Sequence, residues 1–263
     1  MRSLTNDELL VVAEQLGIQT LPRVLGAGPQ QDSYDSWRSA RIRALEVLRD
    51  EGVVDSHNEV EPELAEVLSV LRRPEQELVA RIYTADAVTR VSVARRAERH
   101  AVVTRIGDRY DLDTFWSDGS PATLTAPLLS ALGQRAPAHI PGFSAPTSEL
   151  AARLDAAQQT GDYIDALYAL GIEAHEATIL GAAFGSCHGR AEIVAYSYDE
   201  GTATRAPGAV AVYDTERGRI VAAPMVSPDR QVWSTVTTGS DHRIAQAVAA
   251  LLEGLPEGRW HTP

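Results

Sequence analysis

The chain has 263 residues, 44% apolar and 23% charged, with a formal net charge of −12. That length can build the core of one large domain or two small ones. The acidic balance, with no cluster of Lys and Arg, argues against a nucleic-acid groove.

In chain order, Thr5-Asn6-Asp7-Glu8 predicts a capping box that opens a first helix, ended by Gly17. This polar, acidic start lacks the continuous apolar core of a secretory signal. LPRVLGAGPQ (Leu21 to Gln30) predicts a loop. Its Gly26-Ala27-Gly28 lacks the third glycine of a dinucleotide fingerprint, and Pro29 stands where a helix should begin. A second helix is expected from about Ser33 to Glu51, with Trp37, Arg41, Leu45 and Leu48 along one stripe. A third, about Pro62 to Arg72, places Leu64, Val67, Leu68 and Leu71 at i, i+3, i+4 and i+7. From Glu77 the period becomes two, and ELVARIYT, RVSVARR, HAVVTRIG and YDLDTFW read as strands. Ser120-Pro121 then opens a helix as cap and first-turn proline, with Pro127 expected to bend it.

The segment Gln134 to Pro146, with three prolines and a glycine, reads as a linker. After it come helical patches in TSELAARLDAAQQTG, YIDALYALG and EATILGAAFG. Strands follow in RAEIVAYSY, AVAVYDT, GRIVAAPMV and QVWSTVT. The last helix, Asp241 to Glu253, carries Ile244, Val248, Leu251 and Leu252 on one face. No window approaches the roughly 18 apolar residues of a membrane span.

The order is thus helices, four strands and a helix, stated twice. ELVARIY (Glu77 to Tyr83) lies over EIVAYSY (Glu192 to Tyr198), Asp108-Arg109 over Asp229-Arg230, and Gly119-Ser120 over Gly239-Ser240. Matches in one order and one structural context argue for an internal duplication: residues 1–133, a Pro-rich linker 134–146, and residues 147–263. The loop after the first strand is longer in the second copy (DEGTATRAPG) than in the first (TADAVT). The expected fold is α+β: a central twisted antiparallel sheet flanked by helical bundles, its halves related by a pseudo-twofold axis and joined in one compact domain.

Chemistry is sparse. Cys187-His188 is the one tempting pair, but adjacent residues in a turn usually point apart. It supports a small hydrolase only as an alternative. No CxxC or HExxH spacing occurs, and GFSAP (Gly142 to Pro146) lacks the second glycine of a nucleophile elbow. Asp86, Asp108, Asp111, Asp113 and Asp118 lack the calcium-loop spacing and fit hairpin turns. No catalytic residue, metal or cofactor is therefore expected. Cys187 is the single cysteine, so no internal disulfide can form, which fits a reducing cytosol. Trp116 and Trp233, near the end of each copy's last strand, are assigned to core packing. Tyr196, Tyr198, Tyr213, Met225 and Thr235, on second-copy strands beside the longer loop, are the candidate partner contacts.

The second copy, GRAEIVAYSYDEG through GAVAVYDTERGRIVAAPMVSPDRQVWSTVTTGSDHRIAQAVAALLEGLPEGRW, resembles the C-terminal half of the EspG proteins of actinobacterial type VII (ESX) secretion systems. The shared features are EIVA, the VxVxDT strand with GRI, the W-x-S/T and G-S turn, and the closing LPxGRW. LTNDELLVVAEQLG, LPRVLG and GVVD are similar to the N-terminal region, so the likeness spans nearly the whole chain. The resemblance implies a cytoplasmic, non-enzymatic chaperone that binds the helical tip of a PPE protein within a PE–PPE heterodimer. It implies delivery to the secretion machinery, whose components are further expected partners, without nucleic acid or membrane insertion. Docking is expected on the sheet and the C-terminal helical bundle. The compact TADAVT loop departs from relatives with a longer loop there, which removes the ground for a contact from that loop. A homodimeric interaction module is the remaining alternative.

Overall fold

The structure is a computed structural model that describes residues 1–256 and 260. By internal contacts the chain forms two compact units. Unit 1 is Met1–Val79 with Thr89–Ser117, and unit 2 is Ala80–Val88 with Asp118 onward.

Unit 1 begins with a short strand, β1 (Arg2–Thr5), that the sequence reading missed. Helix α1 (Asn6–Gln15) follows from the expected capping box: Glu8 N donates to Thr5 Oγ1 and Thr5 N to Glu8 Oε2. α2 (Tyr34–Asp50) buries Ala40, Ala44 and Leu48, and α3 (Pro62–Arg72) buries the predicted Leu64, Val67, Leu68 and Leu71. The period-two segment gives β2 (Gln76–Tyr83), which runs across the unit boundary, then β3 (Val88–Arg96), β4 (Arg99–Ile106) and β5 (Arg109–Thr114). Strand order is β1-β5-β4-β3-β2, and α3 packs on β4 and β5. Buried Asn6 pins the loop ahead of α2, exchanging hydrogen bonds with Gly28 N and O and accepting from Tyr110 Oη.

In unit 2, α4 (Pro121–Leu132) starts at the Ser120 cap and keeps Pro127 inside it. The chain then makes β6 (Phe143–Pro146), α5 (Thr147–Ala156), α6 (Thr160–Ala169) and α7 (Ala174–Phe184). β7 (Cys187–Asp199), β8 (Thr202–Arg205), β9 (Val210–Thr215), β10 (Gly218–Val226), β11 (Val232–Thr238) and α8 (Asp241–Glu253) complete it. Its order is β6-β11-β10-β9-β7, with β8 on β7. The segment read as a linker is seated on this sheet: Ala138 is fully buried and bonded to Arg219, and β6 pairs with β11.

Both units therefore repeat one topology. A short edge strand precedes a helix (β1 and α1; β6 and α5) and pairs with the last strand of a four-strand meander, as the internal duplication predicts. The described residues carry eleven strands in an α+β fold, with β4–β5, β9–β10, β10–β11 and both edge-strand pairings antiparallel.

The tryptophan assignment needs a correction. Trp116 is 76% exposed, because β5 ends at Thr114 and strand alternation no longer governs the chain two residues later. Trp233, within β11, is half-buried. Of the closing LPxGRW, Glu257, Gly258 and Arg259 lie outside the described residues, while Trp260 is buried.

Candidate functional site

Strand register decides which candidates can act together. Residues opposed across an antiparallel ladder share a face, and faces alternate along each strand. Tyr213 opposes both Ile220 and Arg190, so Arg190, Glu192, Tyr196 and Tyr198 on β7 lie on the face of Ile220 and Ala222. That face carries the helical bundle: Ile220, Ala222 and Val236 pack with Leu150, Leu167, Leu180 and Phe184 of α5, α6 and α7. α8 packs on β10, β9 and β7 but adds nothing to this cluster, so it covers the opposite face.

Tyr213 is spent on the core. Its ring meets Phe184 edge-on at 5.3 Å, and burial pushes its hydroxyl up to about 12. Tyr196 and Tyr198 stand further along β7, beyond the end of β9, where the longer loop folds into β8 instead. A two-residue turn at Glu200-Gly201, left-handed at both positions (φ 45° and 84°), closes this hairpin. The two tyrosine rings lie 6.3 Å apart, with Arg205 directly opposite Tyr196. Arg205 also meets Glu192 at 3.7 Å, an exposed pair of little energetic weight. Toward the other end of β7, Arg190 lies over the ring of Tyr83, 5.2 Å from its centroid.

A strip of ring faces and guanidinium groups thus runs along β7 beside the bundle: Tyr83, Arg190, Tyr196, Tyr198 and Arg205. Such residues join apolar area to directional hydrogen bonding and are favoured in interface cores. Met225 and Thr235 are on the other face. Met225 is 54% exposed opposite Trp233, and Thr235 Oγ1 shares a hydrogen bond with Ser144 Oγ at 2.9 Å. The five candidates therefore divide between two faces and the core. The period of two from Arg190 to Tyr198 was legible in the sequence and would have found Arg190. Arg205 needed the hairpin register, and Tyr83 needed the tertiary fold.

The Cys187-His188 pair lacks the features of an activated nucleophile. Desolvation pushes the thiol above its usual range, and Sγ donates to Gly189 O at 3.2 Å. His188 falls at a register shift between Cys187 and Gly189. Among the described residues there is no group of three or more His, Cys, Asp or Glu able to hold a metal, and no helix is long and apolar enough to cross a membrane.

A family model described as the EspG family matches residues 5–250. The chain belongs to the EspG family. Among its relatives, the ESX-1 secretion-associated protein EspG1 of Mycobacterium tuberculosis (strain H37Rv) is 31% identical over 97% of this chain and 88% of its own length. The ESX-3 secretion-associated protein EspG3 of Mycolicibacterium smegmatis is 30% identical over 98% of this chain and 88% of its own. In fold, this EspG chain matches the Mycobacterium tuberculosis type VII secretion system chaperone EspG5, solved in complex with a PE25–PPE41 dimer. The TM-score is 0.80 over 98% of both chains at 20% identity.

Proposed function

We propose that this EspG protein is a cytoplasmic chaperone of a type VII secretion system. It binds a PE–PPE heterodimer through the helical tip of the PPE protein and hands it to the secretion machinery, without covalent chemistry of its own. The observation that carries this reading is the family match across residues 5–250, joined to an interface-like strip on a sheet beside a helical bundle. The family's fold neighbour was captured with a PE–PPE dimer. Apolar surface at the tip of a helical substrate is an aggregation hazard, and covering it removes that surface from water. We assign the docking surface to Tyr196, Tyr198, Arg205 and Arg190, with Met225 and Thr235 left on the reverse face.

Co-expression with the PE–PPE pair encoded beside this gene, followed by gel filtration, tests the proposal. A 1:1:1 complex is expected. Tyr196→Ala with Tyr198→Ala should raise its Kd by about tenfold or more, since paired aromatic anchors dominate such interfaces. Failure of the wild-type chain to bind that pair or to affect its solubility would refute the reading for that pair. Cys187→Ser should bind as wild type, whereas the hydrolase alternative requires a lost activity.

A further inference from the structure

Arg219, the second residue of β10, is fully buried, an uncommon place for a guanidinium. Four of its five N–H donors are in use. Nε and Nη2 reach the Asp214 carboxylate at 2.6 and 3.0 Å, Nη2 also donates to Leu132 O and Nη1 to Gly133 O, each at 2.9 Å. Its backbone is equally committed: N donates to Ala136 O at 2.8 Å, and O accepts from Ala138 N at 2.9 Å and Gly239 N at 2.7 Å. One residue thus holds the end of α4, the segment after it, β9 and the turn that enters α8.

We propose that Arg219 is a positioning residue. It fixes the point where the chain leaves α4 and runs on to β6 and the α5–α7 bundle, and so sets the bundle beside the tyrosine strip in the geometry that receives the partner. The last part rests on the proposed function. The carbonyls at the end of α4 have no partner within their own helix, and a cation suits that negative end of the dipole. A buried ion pair adds little net stability over a well-packed apolar pair, but breaking it is costly, so it selects one arrangement. Lysine cannot replace it, because a single ammonium cannot span the carboxylate and both carbonyls in this fork geometry.

Hydrogen exchange by mass spectrometry and partner affinity, measured on full-length Arg219→Lys, test this. Amides in 132–142 should exchange faster by about tenfold or more while α3, β4 and β5 keep their protection, and the Kd for the PE–PPE pair should rise by about tenfold. Unchanged exchange in 132–142 overturns the proposal, as does equal acceleration across the whole chain. Faster local exchange with unchanged affinity overturns the link to the docking surface. Should the variant fail to fold, native-state exchange of the wild type in sub-denaturing guanidinium decides. Ala138, Arg219 and Gly239 amides should open as one unit, and independent opening refutes the clasp. A wild-type chain that binds no PE–PPE pair refutes the proposed function, and the exchange measurements still decide the role of Arg219.

Discussion

Asp118 stands two residues ahead of the Ser120 cap of α4. It accepts from Ser120 N at 2.9 Å and Thr123 Oγ1 at 2.7 Å, and the Ser120 and Thr123 hydrogen bonds hold its carboxyl down at about 2. A carboxylate depressed on folding contributes stability above its ordinary value of 3.8 and loses it as the pH falls toward the folded value. Asp118→Asn should therefore flatten the acid limb: its Tm, followed from pH 5 to 2, should fall less steeply than that of wild type. At this scale the sequence was uneven. The capping residues Thr5 and Ser120 were legible because a cap is a local interaction, as their observed bonds confirm. Tyr213 was not, because alternation places it on a face but does not say which face the bundle covers. Trp116 was misread because its strand stops before it.

Among the elements, the crossing of α6 and α7 is the tightest test of packing. A Cβ on Gly181 would stand 2.9 Å from the backbone N of Ile164 and closer still to that residue's side chain, so the helices approach through a position with no side chain. Gly181→Ala should separate them and destabilise the chain by about 1–3 kcal/mol, read from denaturant unfolding. Binding should weaken with it if the bundle frames the docking surface. The long elements announced themselves: α3 and α8 follow their apolar stripes to the residue. β1, β6 and β8 did not, since four residues carry too little alternation to register. Their pairing is made by partners far away in sequence, β1 with β5 and β6 with β11.

For the whole molecule, the duplication was the strongest inference available from the residues, and the repeated strand order supports it. It was legible because each copy retains its own pattern of turns and caps. The proposed docking surface was less so, because the copies diverge there: the second extends its first hairpin by β8 and the first closes at Thr84 to Ala87. The charge balance makes a separate prediction. With a net charge of −12 at pH 7 and an isoelectric point near 5.0, self-repulsion vanishes on mild acidification. Light scattering of the chain without its partner should peak near that pH, and a flat profile from pH 7 to 4 would contradict it. The single thiol offers a practical consequence. Cys187 is on the surface at the start of β7, and Tyr196 lies nine residues along the same strand, roughly 30 Å at about 3.3 Å per residue. A fluorophore attached there would occupy a single defined address, far from the tyrosines and beside Arg190 at the near end of the proposed surface. On the proposed function, energy transfer to a labelled PPE tip would then turn arrival and release of that partner into a signal followed in real time.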